Sequence, residues 1–206
     1  LSEIVTAFNL AGEEIRRQAG PLRVLVVGTD ELADLLARAG HTPLPFDRWS
    51  EAQAVVVGND PSFDFGRLRA SARVVAAGGP LFAVNLDARF PVGFEPWDFE
   101  PGCGAIAEAI LVAADTGARP IVIGKPSPPL FLAAVERLGC PAEQAAMVGD
   151  SYFSDMAGGI AAGMFTVWLK PESTPDSHQT GRGPDLSFAD LDALQRAWRQ
   201  ARGEGR

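Results

Sequence analysis

Lysine is almost missing from this chain: two, at Lys125 and Lys170, stand against sixteen arginines. Cysteine is as sparse. Cys103 and Cys140 lie far apart and match no CxxC or zinc-ligand spacing, so they read as two reduced, small apolar residues of a cytoplasmic protein rather than as a disulfide framework or a metal site. No apolar run approaches the roughly 18 residues of a membrane span, and the charged, amphipathic first residues do not follow the pattern of a signal peptide. No basic cluster occurs and the formal net charge is -8. That balance argues against nucleic acid or an anionic membrane as the partner and leaves small molecules. Internal repeats and low-complexity runs are also missing. What is present is 206 residues, 47% of them hydrophobic, enough to build one ordinary α/β domain or two small ones.

In chain order, Glu3 to Gln18 shows helical apolar spacing through Ile4, Ala7, Phe8, Ala11 and Ile15. Leu22 to Val27 reads as a buried strand, followed by a helix opened by Thr29-Asp30 and stopped at Gly40. Ala54 to Val57 is the next strand, a helix runs from about Phe65 to Ala77, and Leu81 to Val84 is a third strand. The alternation predicts parallel strands with helical crossovers. Asn85 to Gly104 breaks the rhythm with a long loop rich in proline, glycine and aromatics. A helix from about Ala105 to Ala114 then leads to an apolar run, Ile121 to Gly124. Pro128-Pro129 open a helix that reaches Leu138 and ends at Gly139. The strand Ala145 to Val148, an acidic turn, a small-residue helix to Gly163 and the strand Phe165 to Leu169 complete a second β-α-β-α-β series. After a polar loop, Leu186 to Ala201 brings a short strand and a terminal helix.

The acidic turn is the part that carries chemistry. Gly149-Asp150 closes an apolar run and Asp155 follows within one turn. Two carboxylates at the carboxyl end of a strand repel unless a cation or proton lies between them, and an oxygen-only site suits Mg²⁺. Gly149 would let the backbone turn sharply and Asp155 fold back over Asp150. The alternative is structural: Ser154 or Asp155 caps the helix and Asp150 is a turn residue. Lys125, directly after Ile121-Val122-Ile123-Gly124 and before Pro126, could offset the carboxylates and pair with a phosphate, or stand solvated at a strand end.

With those residues in view, IVIGKPSPPLF and MVGDSYFSDMAGGIAAGM resemble the third and fourth motifs of the haloacid dehalogenase (HAD) superfamily. The order NLD, PGCGAI, GKPSP, GDxxxxD is similar to its p-nitrophenylphosphatase-like group, over about Ile4 to Leu194. The resemblance implies an α/β fold: a Rossmann-like HAD core with an inserted α/β cap. It divides the chain into 1–19, a remnant of the N-terminal part of the core, 20–118, the cap, and 119–206, the C-terminal part of the core. It also implies a Mg²⁺-dependent phosphatase of a small phosphorylated metabolite. Asp150 would be the direct metal ligand, and Asp155 a second ligand or a carboxylate acting through water. Lys125 would stabilise the phosphorylated aspartate and the phosphoryl group, while Asn85, Leu86 and Asp87 would reach the leaving group. Many relatives have proline where Leu86 stands. A cation, a lysine and an excluding lid are the parts that phosphoryl transfer requires.

The family's DxDGT nucleophile motif and its Thr or Ser phosphate motif do not occur in this chain. Asp190-Leu191-Asp192 lacks the Gly-Thr and runs into a helix, and Thr29-Asp30 has no second aspartate at the right spacing. The core is therefore expected to be incomplete, its central nucleophile strand lying upstream in a longer protein, and this chain alone is expected to fold poorly and to be inactive. The alternative is a non-catalytic HAD-like remnant that binds a phosphorylated ligand or a partner, and an in-frame DxDGT upstream of Leu1 would exclude it. A phosphoacceptor receiver domain fits less well, because two strand–helix series flank the long loop and no phosphoacceptor aspartate falls at the right place. Sugar phosphates, nucleotides, phosphoglycolate and pyridoxal phosphate all fit as substrates. Phe94, Trp97 and Phe99 either stack on the substrate or bury the cap's own core. Association of copies through the cap is compatible with this plan.

Overall fold

A computed structural model describes residues 4–95, 97–170 and 182–203. The chain divides into two compact units, one of residues Ile4–Gly124 and one that begins at Lys125.

The first unit is built on the helix α1 (Ala7–Ala19) and the strands β1 (Arg23–Val27), β2 (Thr42–Leu44), β3 (Ala54–Val57), β4 (Leu81–Ala83) and β7 (Ile121–Val122). These strands form one parallel sheet in the order β2-β1-β3-β4-β7. The crossovers run through α2 (Asp30–Arg38), α3 (Phe65–Ala76) and α4 (Cys103–Ala114). All four residues of β3 are buried, and so are four of the five of β1, as expected of strands covered on both faces. Each helix starts where a short polar side chain or an extended residue ends the preceding loop. Thr6 accepts from Asn9 N at 3.1 Å at the head of α1, and Asp64 from Arg67 N at 2.8 Å at the head of α3.

β7 departs from the sequence reading, which groups Ile121 to Gly124 with the later strands. Ile121 and Val122 pair with Phe82 and Ala83, and Ile123 is buried in the first unit's core, so this strand closes the first sheet. The units thus divide at 124/125, where the sequence reading divides the chain at 118/119, and α1 is continuous with the first unit through its contact with α2. Two short elements within the long loop, β5 (Arg89–Pro91) and β6 (Phe99–Pro101), form an antiparallel hairpin. It leaves Val92, Phe94, Trp97 and Phe99 exposed.

His41 is buried, which distinguishes it from the helix-end dipole partner that its position after Gly40 predicts. Its Nδ1 accepts from Leu22 N at 3.2 Å and its Nε2 lies 2.9 Å from Gly12 O, so the ring ties α1 to the entrance of β1. Ser71 on α3 is also fully buried, and its Oγ has no hydrogen-bond partner among the described residues. Ser71→Ala removes an unsatisfied hydroxyl and improves helix propensity. It should raise stability by about 1–2 kcal/mol, read as a higher urea midpoint at unchanged slope.

The second unit has a smaller core. Its sheet runs β10 (Leu186–Phe188), β9 (Phe165–Leu169), β8 (Ala146–Gly149), all parallel. The helices are α5 (Pro128–Leu138), α6 (Ala157–Ala161) and α7 (Leu191–Ala201). Phe131 and Val135 of α5 pack with Ala145, Ala162 and Met164, while Tyr152, Met156 and Trp168 form a separate small cluster. α7 is capped by Asp190, which accepts from Ala193 N at 2.7 Å. The Asp185 carboxylate takes Thr166 N at 2.8 Å and Arg182 at 2.7 Å, and those bonds hold it below its ordinary acid range. One face of this sheet borders an apolar cavity of about 550 Å³ lined by Val148, Phe165, Val167, Leu186, Leu194 and Trp198. Among the described residues, β8 has no neighbour on its outer edge.

Candidate active site

The apolar strand β8 delivers Gly149 to its carboxyl end, where open α/β sheets place their ligand sites. The chain then makes one wide π-type turn over Tyr152–Met156 before α6 begins. Asp155 N bonds Ser151 O at 2.9 Å and Met156 N bonds the same oxygen at 3.2 Å. Such i→i+5 turns recur at functional sites, because they rotate side chains out of the regular helical positions.

That turn carries Asp155 inward. It is 3% exposed, and its Oδ1 accepts from Lys125 Nζ at 2.7 Å while Oδ2 accepts from Ser151 N at 3.1 Å. The Lys125 side chain is 44% exposed, so the pair joins a buried anion to a cation that reaches solvent. Lys125 is positioned from the other side by Pro126, to which it is joined by a cis peptide, and by the start of α5 at Pro128. Asp150 is exposed, and among the described residues nothing donates to its carboxylate. Its backbone oxygen is taken instead: Trp168 Nε1 donates to Asp150 O at 3.0 Å.

Two local expectations are corrected here. Gly149 is not needed for a left-handed turn, since it lies in β8 and is not among the residues of positive φ. It is needed because a Cβ there would sit 2.6 Å from the Cβ and Cγ of Asp155. The cap of the turn is neither Ser154 nor Asp155 but Ser151, whose Oγ accepts from Ser154 N at 3.2 Å. Lys125 and Asp155 are thus paired, and Asp150 stands at the head of the same turn, one residue before the Ser151 amide that Asp155 holds. Trp168 escaped the sequence reading. Its only sign is a large aromatic near the carboxyl end of a mostly apolar strand.

Asn85, Leu86 and Asp87 lie in the first unit, just past the carboxyl end of β4. Asn85 Oδ1 accepts from Asp87 N at 3.1 Å, closing a tight local turn. Gly104 N donates to Asp87 O at 2.9 Å, and a Cβ at Gly104 would fall 2.6 Å from the Leu86 carbonyl carbon. The glycine of the PGCG string is therefore what lets α4 receive this segment's backbone. Cys103, beside it, donates from Sγ to Val57 O at 3.2 Å, and burial raises its thiol above the ordinary value, so it is a core residue rather than a nucleophile.

The HAD-hydrolase-like family model matches residues 122–194. The acid sugar phosphatase of Staphylococcus aureus strain MRSA252 is 31% identical over 191 residues, 92% of this chain and 71% of that protein. The p-nitrophenyl phosphatase of Archaeoglobus fulgidus superposes with a TM-score of 0.77 at 28% identity, covering 95% of this chain and 75% of that one. The 4-nitrophenylphosphatase of Thermotoga maritima gives 0.74 at 27%, covering 92% and 70%. The chain belongs to the haloacid dehalogenase superfamily, within the p-nitrophenylphosphatase-like group. These relatives are phosphatases of that superfamily. No described helix is long and apolar enough to cross a membrane.

Proposed function

We propose that this chain carries the cap, the lysine motif and the metal-holding turn of a Mg²⁺-dependent phosphatase that works through an aspartyl-phosphate. The observation that carries the reading is the buried Asp155, paired with Lys125, in the same turn as the exposed Asp150, whose carboxylate takes no hydrogen bond from a described residue. The donor set suits Mg²⁺, which takes one or two carboxylates from a protein and completes its shell with water and substrate phosphate. Among the described residues no third acidic, His or Cys ligand joins them.

Asp150 would hold the ion directly. Asp155, both of whose oxygens already accept protein hydrogen bonds, is better placed to act through water. When bound, Mg²⁺ would neutralise charge on the phosphoryl oxygens. Lys125 serves the same end from the protein side, its ammonium fixed by Asp155 and open to solvent on the rest of its surface. The attacking carboxylate is assigned to a DxDGT segment outside these 206 residues. That no described strand pairs with the outer edge of β8, and that an apolar cavity lies over one face of its sheet, support a further strand and its cover being seated there. That carboxylate would form a bond to phosphorus as the ester oxygen leaves and takes a proton. Water would then release phosphate and restore the aspartate. On this reading the 206 residues alone do not turn over.

Asn85, Leu86 and Asp87 are assigned to substrate contact, supported by their place at the carboxyl end of a parallel strand. The names of the relatives point to a small phosphate monoester, sugar phosphates included, and a cytoplasmic location fits two free cysteines. The test is phosphate release from p-nitrophenyl phosphate by a polypeptide that carries this chain behind its DxDGT segment. Activity should require Mg²⁺ and disappear with chelator. Undiminished turnover without the metal would refute the reading.

A further inference from the structure

The Asp150 carbonyl and the Ser151 amide belong to one peptide group, and both of its ends are held by side chains. Trp168 Nε1 donates to the oxygen at 3.0 Å, and the Ser151 N–H donates to Asp155 Oδ2 at 3.1 Å. Because the peptide is planar, fixing both ends fixes the rotation about the bonds on either side of it, including the ψ of Asp150. The holders are themselves immobilised. Trp168 is 2% exposed, stands opposite Gly149 in the β8–β9 register, and meets the Tyr152 ring edge-on with centroids 5.3 Å apart. Lys170 Nζ lies over its indole at 5.5 Å. Asp155 is pinned by Lys125. A rigid chain of contacts therefore runs from Lys125 through Asp155 and the 150–151 peptide to the indole.

We propose that Trp168 is a positioning residue. Its N–H sets the orientation of the Asp150–Ser151 peptide and, through it, the direction in which the Asp150 carboxylate, held by no described residue, is presented to the metal. This rests on the reading of Asp150 as a metal ligand. An exposed aspartate whose carboxylate takes no hydrogen bond from a described residue loses freedom when it binds an ion, and a backbone already held leaves only its side-chain rotations to be fixed.

The test uses the polypeptide that carries this chain behind its DxDGT segment, with Mn²⁺ as a paramagnetic stand-in for Mg²⁺. Trp168 is replaced by 3-benzothienylalanine, which keeps the bicyclic shape and puts sulfur where the N–H was, and in parallel by phenylalanine. Losing one buried hydrogen bond should weaken Mn²⁺ binding about fivefold in the benzothienyl protein, measured by electron paramagnetic resonance. Amide exchange at Ser151 should rise while the far-ultraviolet circular dichroism is unchanged. Unchanged Mn²⁺ affinity in the benzothienyl protein, whatever happens to Trp168→Phe, overturns the proposal. Asp150→Ala separates the two claims. If it weakens Mn²⁺ binding and the benzothienyl substitution does not, only the role of Trp168 fails. If Asp150→Ala leaves the affinity unchanged, the metal reading fails and the positioning role with it.

Discussion

In the polypeptide that carries this chain behind its DxDGT segment, Asp150→Ala should lower metal-dependent phosphate release by at least about a thousandfold while leaving the unfolding midpoint unchanged. The separation of the two effects follows from where the side chain stands. Asp150 is exposed and accepts no hydrogen bond from a described residue, so truncating it orphans nothing. The group that holds the turn together at this position is the backbone oxygen, which alanine keeps and Trp168 still bonds. Asp155 differs in both respects: it is buried and paired, and its removal would disturb Lys125 and Ser151 together. Measuring phosphate release and thermal unfolding on the same Asp150→Ala preparation decides the matter. Near-normal release would remove Asp150 from the metal site, and a large fall in melting temperature would show that it carries structure instead.

Gly149→Ala should be the more damaging change, costing about 3–5 kcal/mol and abolishing the site without altering one of its functional groups. The added methyl would lie 2.6 Å from the Cβ and Cγ of Asp155, and neither side can yield cheaply. Gly149 is held in register with Trp168 by the β8–β9 ladder, while Asp155 is held by Lys125 and by Ser151 N. The clash is relieved only by moving residue 155 as a whole, backbone included, away from β8, which breaks its pair with Lys125. A double mutant checks the cause. With Asp155 already reduced to glycine, which removes both contacting carbons, the further cost of Gly149→Ala should be smaller than in the parent chain. Equal costs in the two backgrounds would place the damage elsewhere.

Much of this architecture is written in local pattern. The strand Ala54–Val57 is an uninterrupted apolar run, Phe165–Leu169 is broken only by Thr166, and the helix Pro128–Leu138 is marked at both ends by proline and glycine, so their limits can be read directly. Thr42–Leu44 and the hairpin of Arg89–Pro91 with Phe99–Pro101 cannot, because three residues with a proline among them carry no periodicity. The membership of Ile121–Val122 in the first sheet is likewise a matter of pairing with Phe82 and Ala83, which no local pattern reveals. At the site, the spacing of Asp150, Asp155 and Lys125 identifies the charged groups. What it does not convey is the division of labour among them: a buried carboxylate tied up in two bonds, a free one in solvent, and a tryptophan that supports the free one through its backbone. Those roles depend on a wide turn and a cross-strand contact.

Ser151 meets Asp155 through its amide rather than through anything particular to serine, and Asp150 meets Trp168 through its carbonyl. The two bonds that orient the turn are thus indifferent to the side chains at these positions. Nineteen of the twenty residue types could supply the Ser151 amide, and proline alone, having no N–H, could not.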